Sequence, residues 1–119
     1  MKLTKKELEI MQILWKQPEP LSARGIVRVN PELSQNTVQS VLSKLLKKGL
    51  IENSGYGKTS TNITREYQAV LSEESYLEQN VSRSAINNLL TSFVATNTTL
   101  AELDDLERVI EQRKKELRK

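Results

Sequence analysis

The segment between Gln35 and Lys47 carries side chains whose types and spacing suit contact with nucleic acid bases and phosphates. At helical spacing, seven of them share one side: Asn36, Thr37, Gln39, Ser40, Ser43, Lys44 and Lys47. None is acidic. Amide side chains can bond adenine edges, hydroxyls can bond bases or pack on thymine methyl groups, and lysine neutralises phosphate. The pattern predicts DNA contact, and a solvated surface helix that lacks acids is the alternative.

The opposite side of this segment is apolar. Val38, Val41, Leu42, Leu45 and Leu46 recur at the spacing of an amphipathic helix, the strongest periodicity in the chain. Ser34 is the expected N-cap of a helix over residues 35–48. Gly49 suits the position after the helix, where it follows two lysines that face the negative helix end.

The sequence on either side of this helix predicts the helices and strands that surround it. Thr4 and Glu7 form a capping box that starts a first helix, and Pro18 and Pro20 end it. A second helix is expected from Ser22 to about Val29, and Asn30-Pro31 breaks it. Residues 50–71 read as a β-hairpin around a glycine-rich tip. Three helices followed by a two-stranded wing match the winged variant of helix-turn-helix DNA binding.

The tip of the hairpin carries Tyr56 and Lys58 between glycines. A basic tip suits contact with phosphate or the minor groove, whereas a plain polar turn is the alternative. Arg65, near the base of the hairpin, is expected to pair with Glu66 or Glu52. Ile63, Tyr67 and Val70 are expected to point inward.

The remaining chain, residues 72–119, is predicted to be helical. Ser72 can cap a fourth helix, and Thr99 with Glu102 forms a second capping box. Whether the pattern before Thr96 is one helix or two stays open. The apolar stripe of the last helix is expected to pack against a second copy of the chain or against the fourth helix. We assign dimerisation to Leu89, Leu90, Phe93, Leu103, Leu106, Ile110 and Leu117. The fold class is therefore mainly α: a winged helix-turn-helix domain over residues 1–71, with a small β-hairpin wing, and C-terminal dimerisation helices over residues 72–119.

The composition of the chain excludes several kinds of metal and catalytic site. The chain has 119 residues without Cys or His, which excludes disulfides, thiolate or imidazole metal ligation and a Ser-His-Asp triad. Residues 1–71 carry 11 Lys+Arg against 6 Asp+Glu, whereas residues 72–119 carry 7 against 9. The excess of basic residues in 1–71 and of acidic residues in 72–119 suggests that residues 1–71 bind a polyanion. No catalytic residue, metal or cofactor is expected, and the absence of a long apolar run predicts a cytoplasmic protein without a membrane partner.

Three segments also carry a family resemblance: Leu3–Trp15, Ser34–Ile51 and Tyr67–Tyr76. They resemble the penicillinase (beta-lactamase) repressors of bacteria and the related copper-transport repressors. The resemblance implies a homodimeric transcriptional repressor, with its winged-helix domain on a double-stranded DNA operator. In that family a Ser-x-Lys-Thr-Val run opens the recognition helix. Thr37 and Val38 match it, Asn36 stands where Lys is usual, and base contacts from Thr37 and Gln39 carry over as expectations.

Two departures from the family concern regulation. Copper-responsive members have a cysteine-rich C-terminal motif, which this chain lacks, so thiolate metal sensing is excluded. Beta-lactamase-type members are inactivated by cleavage at an Asn-Phe bond, for which Ser92-Phe93 is the nearest match. A regulatory protease is therefore a weaker hypothesis than a place for Phe93 in an apolar dimer core.

Together these observations predict a repressor that binds a pseudo-palindromic operator and blocks transcription without catalysis. Half-sites about one helical turn apart, or a multiple of it, would match a two-fold dimer. The alternative is a winged-helix adaptor that dimerises through its C-terminal helices and binds proteins rather than specific DNA, because fold alone does not fix function.

Overall fold

A computed structural model describes residues 2–58 and 63–119 of the chain. The predicted order of elements is confirmed: α1 (Lys5–Lys16), α2 (Ala23–Val29), α3 (Gln35–Lys47), β1 (Ile51–Lys58), β2 (Ile63–Ala69), α4 (Glu73–Asn80), α5 (Arg83–Thr96) and α6 (Leu100–Leu117). Contacts divide the chain into two compact units, Met1–Asn80 and Val81–Lys119.

The predicted helix starts are confirmed by side chains that bond the first-turn amides. The Thr4 hydroxyl accepts from the Glu7 amide at 3.2 Å, while the Glu7 carboxylate accepts from the Thr4 amide at 2.9 Å. Ser34 Oγ accepts from the Thr37 amide at 3.1 Å at the start of α3. Each bond satisfies a donor that the helix itself leaves unpaired.

The end of α3 is set by Gly49, as its sequence position predicts. Gly49 has a φ of +74°, a left-handed conformation that side chains with a Cβ rarely adopt. Its amide donates to the Leu46 carbonyl, and the Leu50 amide donates to the Leu45 carbonyl, both at 3.0 Å. This paired pattern closes the helix and turns the chain into β1.

The core of the first unit forms where α1, α2 and α3 meet. The side chains that are almost fully enclosed include Ile10, Met11, Ile26, Val38, Leu42 and Leu45. Trp15 Nε1 donates to the Leu71 carbonyl at 2.8 Å, and its ring centroid lies 5.9 Å from that of Tyr76. Tyr76 therefore joins α4 to the helices of this unit.

The hairpin pairs β1 with β2 in antiparallel register, with an irregularity between Asn53 and Gly55. Leu21 extends this pairing, since its amide and carbonyl exchange hydrogen bonds with Tyr67 at 3.0 and 2.7 Å. Tyr67 is buried as expected. The inward orientation expected for Val70 is wrong, because Val70 lies beyond the end of β2 and is 55% exposed. The side chain of Ile63 lies outside the described part of the chain.

The region after the hairpin contains two successive helices before Thr96 rather than one. Ser82 Oγ accepts from the Ala85 amide at 3.1 Å and so starts α5 separately from α4. Helices α5 and α6, which the structure describes along their whole length, contain no buried residue. Over residues 2–58 and 63–119, no helix combines the length and apolarity needed to cross a membrane.

Candidate nucleic-acid interface

Helix α3 separates its apolar and polar side chains onto two sides. Val38, Val41, Leu42 and Leu45 are buried in the core of the first unit. On the other side the polar residues are open to solvent: Asn36, Gln39, Ser40, Ser43, Lys44 and Lys47 are exposed, and Thr37 is half-buried. We call these seven residues the recognition face. Because the burial of one side fixes the rotation of the helix, the recognition face is presented on a rigid support.

Hydrogen bonds within α3 decide which polar groups stay open for a partner. Ser34 Oγ donates to Thr37 Oγ1 at 2.8 Å, and Ser43 Oγ donates to the Gln39 carbonyl at 3.1 Å. The Ser43 hydroxyl proton is thereby used inside the helix, and its oxygen can still accept. The amide groups of Asn36 and Gln39 supply both donors and acceptors, which suits the edges of base pairs.

The charge of the recognition face is purely positive. Lys44 and Lys47 lie in its second half, and within the described ranges neither forms an ion pair. The described residues also bring together no group of three or more acidic side chains able to hold a metal ion. An exposed surface with amides, hydroxyls and two lysines is suited to a polyanion that also presents hydrogen-bonding edges.

A partly buried ion pair joins the C-terminal end of α3 to α1. Lys48 Nζ donates to Glu7 Oε2 at 2.7 Å, and the Glu7 residue is only 1% exposed. The hydrogen bond from Lys48, followed by that from the Thr4 amide, lowers the pKa of Glu7 below its ordinary value, although burial acts in the opposite direction. Sequence reasoning missed this contact because it joins residues 41 positions apart.

The wing residues Tyr56 and Lys58 lie on β1, where they pair with Arg65 and Ile63. Their side chains lie outside the described part of the chain, so their proposed DNA contact stays a prediction. The pairing expected for Arg65 is wrong: within the described residues it forms no ion pair with Glu66 or Glu52. Glu52 instead accepts from Gln68 Nε2 at 2.6 Å, since register places Gln68 directly opposite it.

A cleft beside the recognition face contains two arginines that sequence reasoning did not assign to DNA binding. It measures about 410 Å³ and is lined by Ser22, Ala23, Arg24, Gln35, Gln39, Thr64, Arg65 and Tyr67. Its walls come from α2, α3 and β2. Arg24 and Arg65 are far apart in the sequence, and only the folded hairpin brings them to the same cleft.

The residues assigned to dimerisation all lie on α5 and α6, in the second unit. Leu89, Leu90, Phe93, Ile110 and Leu117 are exposed, and Leu103 and Leu106 are half-buried. Large apolar side chains that remain open to solvent are typical of surfaces that bind a partner. The proposed cleavage position, Ser92-Phe93, lies inside the continuous helix α5.

Comparison with known proteins gives one family match. A family model described as penicillinase repressor matches residues 3–112 of the chain, and no curated protein matches it. The match offers no support for a regulatory protease.

The chain is also similar to several solved structures. One is a mutant of MepR from a multidrug resistant S. aureus clinical isolate, with a TM-score of 0.53 and 14% identity over 98% of this chain and 80% of that chain. This likeness concerns the fold. Zinc-responsive ZitR from Lactococcus lactis gives a TM-score of 0.49 and 17% identity over 98% and 78% of the two chains. PerR from Streptococcus pyogenes gives a TM-score of 0.45 and 25% identity, and the match covers 58% of this chain and 48% of that chain. The chain therefore spans about half the length of PerR.

Proposed function

The chain belongs to the penicillinase repressor family of winged-helix transcription regulators, and from this premise we propose that it is a homodimer that represses transcription by occupying a pseudo-palindromic operator in double-stranded DNA. Residues 1–71 bind DNA in this proposal, and residues 72–119 join the two copies. The family consists of transcription regulators rather than enzymes. Repression needs no catalysis, because a dimer bound over a promoter excludes polymerase sterically.

The recognition face of α3 is the observation that carries the proposal. It is exposed, free of acids and backed by a buried apolar side, as an α-helix that enters a major groove requires. Thr37 and Gln39 would contact base edges, with Asn36, Ser40 and Ser43 close to the groove floor. Lys44 and Lys47 would neutralise phosphates, and Tyr56 and Lys58 would contact the backbone or minor groove beside them.

Two copies are needed because one winged helix contacts only a few base pairs. A two-fold dimer would engage half-sites about 34–36 Å apart, or a multiple of that distance, and so double the contacts. The exposed apolar side chains of α5 and α6 support pairing through the second unit. Within α6, Leu103, Leu106, Ile110 and Leu117 share one stripe at helical spacing.

Selection of bound sites from a random pool of DNA duplexes tests the DNA-binding part of the proposal. We expect a palindromic consensus, and affinity for it should fall steeply as salt rises. Replacing Lys47 with Gln should weaken binding to all sequences about equally, whereas Gln39→Ala should cost about 1–3 kcal/mol at one base position. Lys16→Gln, at an exposed lysine on α1, is the matched control. Affinity that is independent of salt would contradict phosphate contact.

The size of the protein in solution tests the dimer. We expect the wild-type chain to sediment as a dimer, and Ile110→Glu to shift it towards the monomer. Gln112→Glu places the same side chain two residues further on, away from the apolar stripe, and should leave the dimer intact. A monomeric wild type would contradict the proposal. A dimer without any DNA preference, together with a tight protein partner, would instead favour the adaptor function.

A further inference from the structure

The cleft between α2, α3 and β2 lies beside the recognition face and contains two guanidinium groups. We propose that Arg24 and Arg65 together hold one backbone phosphate of the DNA, and that they do so without reading its sequence. This inference rests on the proposed DNA binding and adds a contact that fixes the position of α3 in the groove. Such contacts set the register of a protein on the duplex while base contacts select the sequence.

The position of the cleft matches the path of a sugar-phosphate backbone. Gln35 and Gln39, one turn apart on the first half of α3, line one of its walls, and Arg24 and Arg65 line others. The cleft therefore runs along the flank of the helix that would lie in the major groove. The two strands that border the groove pass along the two flanks of such a helix, and the strand on the side of Gln35 and Gln39 would place its phosphates near the cleft.

Pairing of the backbone holds the two arginines in place. Leu21 and Tyr67 exchange two hydrogen bonds, so the segment before α2 is joined directly to β2. Arg24 follows Leu21 by three residues, and Arg65 precedes Tyr67 by two, on the same side of the strand. Because Tyr67 is also buried in the core, the backbone around both arginines is fixed before any ligand binds.

The chemistry of the cleft favours an anion. Both arginines are exposed, and across residues 2–58 and 63–119 neither has an acidic partner. The described side chains that line the cleft include no acid. A guanidinium presents a planar set of donors that matches two phosphate oxygens at once. Two such groups that line one cleft can bind the same phosphodiester together.

The salt dependence of DNA affinity distinguishes a phosphate contact by Arg24 and Arg65 from a general attraction between the protein and DNA. The probes are the selected operator and a mixed-sequence duplex of about 30 base pairs, which accommodates two half-sites. Both arginines hold the same phosphate, and the dimer makes this contact once in each copy. The slope of log affinity against log salt should therefore become shallower by about 1.8 in Arg24→Gln, and by about the same amount in Arg65→Gln. The loss of affinity between about 50 and 200 mM salt should then be about 12-fold smaller in either variant. Arg28→Gln is the matched control, because Arg28 is exposed on α2 but does not line the cleft.

The expected result is a weaker affinity for both duplexes by the same factor, with the ratio between them unchanged. Arg65→Lys should keep the salt slope and still lose affinity, since an ammonium lacks the planar pair of donors that matches two phosphate oxygens. Fluorescence of Trp15 during urea unfolding verifies that each variant is folded. If the wild type binds DNA and the two variants behave like Arg28→Gln, the phosphate contact is refuted and the proposed function stands. A changed preference at one base pair also refutes it, whereas a wild type that binds neither duplex refutes the proposed function itself.

Discussion

Replacing Glu7 with Gln should destabilise the first unit, because Glu7 joins α1 to the end of α3. The glutamine keeps the shape of the side chain, and its carbonyl can still accept from the Thr4 amide, but the charge that binds Lys48 at 2.7 Å is lost. Breaking a fully buried ion pair costs about 3–5 kcal/mol, since the remaining charge is stranded. The Lys48 side chain is 40% exposed and can turn towards water. The cost therefore falls to that of one charge-assisted hydrogen bond, about 2 kcal/mol.

Urea unfolding of the full chain, followed by Trp15 fluorescence, measures this effect. Trp15 is the chain's only tryptophan and lies in the first unit, so the signal is specific for that unit. A loss of about 2 kcal/mol corresponds to a fall in Tm of roughly 10 °C for a domain of this size. Glu9→Gln is the matched control, because Glu9 contacts Lys6 at 3.5 Å in an exposed pair on the same helix. Its loss should be below about 0.5 kcal/mol.

The pH dependence gives an independent check of the cause. Contact with Lys48 lowers the pKa of Glu7 in the folded protein relative to the unfolded chain, where it is about 4.3. The stabilisation is therefore fully present above the unfolded pKa and is lost as pH falls through the folded pKa. The difference between wild type and Glu7→Gln should shrink in that acidic range and stay constant near neutrality. Equal losses of stability in the Glu7 and Glu9 variants would contradict a role for the Glu7 charge. So would a difference between wild type and Glu7→Gln that persists at a pH where Glu7 is protonated in the folded and the unfolded protein.

Three further changes test other parts of the first unit by the same unfolding measurement, with far-UV circular dichroism as the probe where Trp15 is altered. Ser34→Ala removes the acceptor for the Thr37 amide and should cost about 1 kcal/mol; an unchanged midpoint would show that water replaces the cap. Gly49→Ala forces a Cβ into a left-handed conformation and should cost about 1–2 kcal/mol, although no described atom lies within 4 Å of the new Cβ. Trp15→Phe leaves the Leu71 carbonyl without its donor at 2.8 Å and should cost about 1–3 kcal/mol, and a neutral result would contradict that role.

Local signals in the sequence predicted much of the fold because their causes are local. Ser34 bonds an amide three residues away, and Gly49 adopts its positive φ within a single turn. The periodic apolar residues of α3 likewise predicted which of its sides is buried. The recognition face followed from the same rotation, since the residues opposite a buried stripe must face solvent.

Contacts between distant segments could not be predicted in this way. The partner of Glu7 is 41 residues away, and no local pattern distinguishes Lys48 from the other lysines near it. The cleft with Arg24 and Arg65 depends on the pairing of Leu21 with Tyr67, which no hairpin signal includes. The prediction for Val70 was wrong because Val70 lies one residue past the end of β2, and its spacing of three from Tyr67 does not follow the alternation of a strand.

The pairing between Leu21 and Tyr67 has a consequence for the kinetics of the proposed operator binding. It joins the segment before α2 directly to β2, so that α2, α3 and β2 form one preorganised body. Little conformational entropy is then lost when this body meets a duplex. The association rate should accordingly depend on diffusion and on long-range attraction between opposite charges, while differences among operators appear in how long each complex survives.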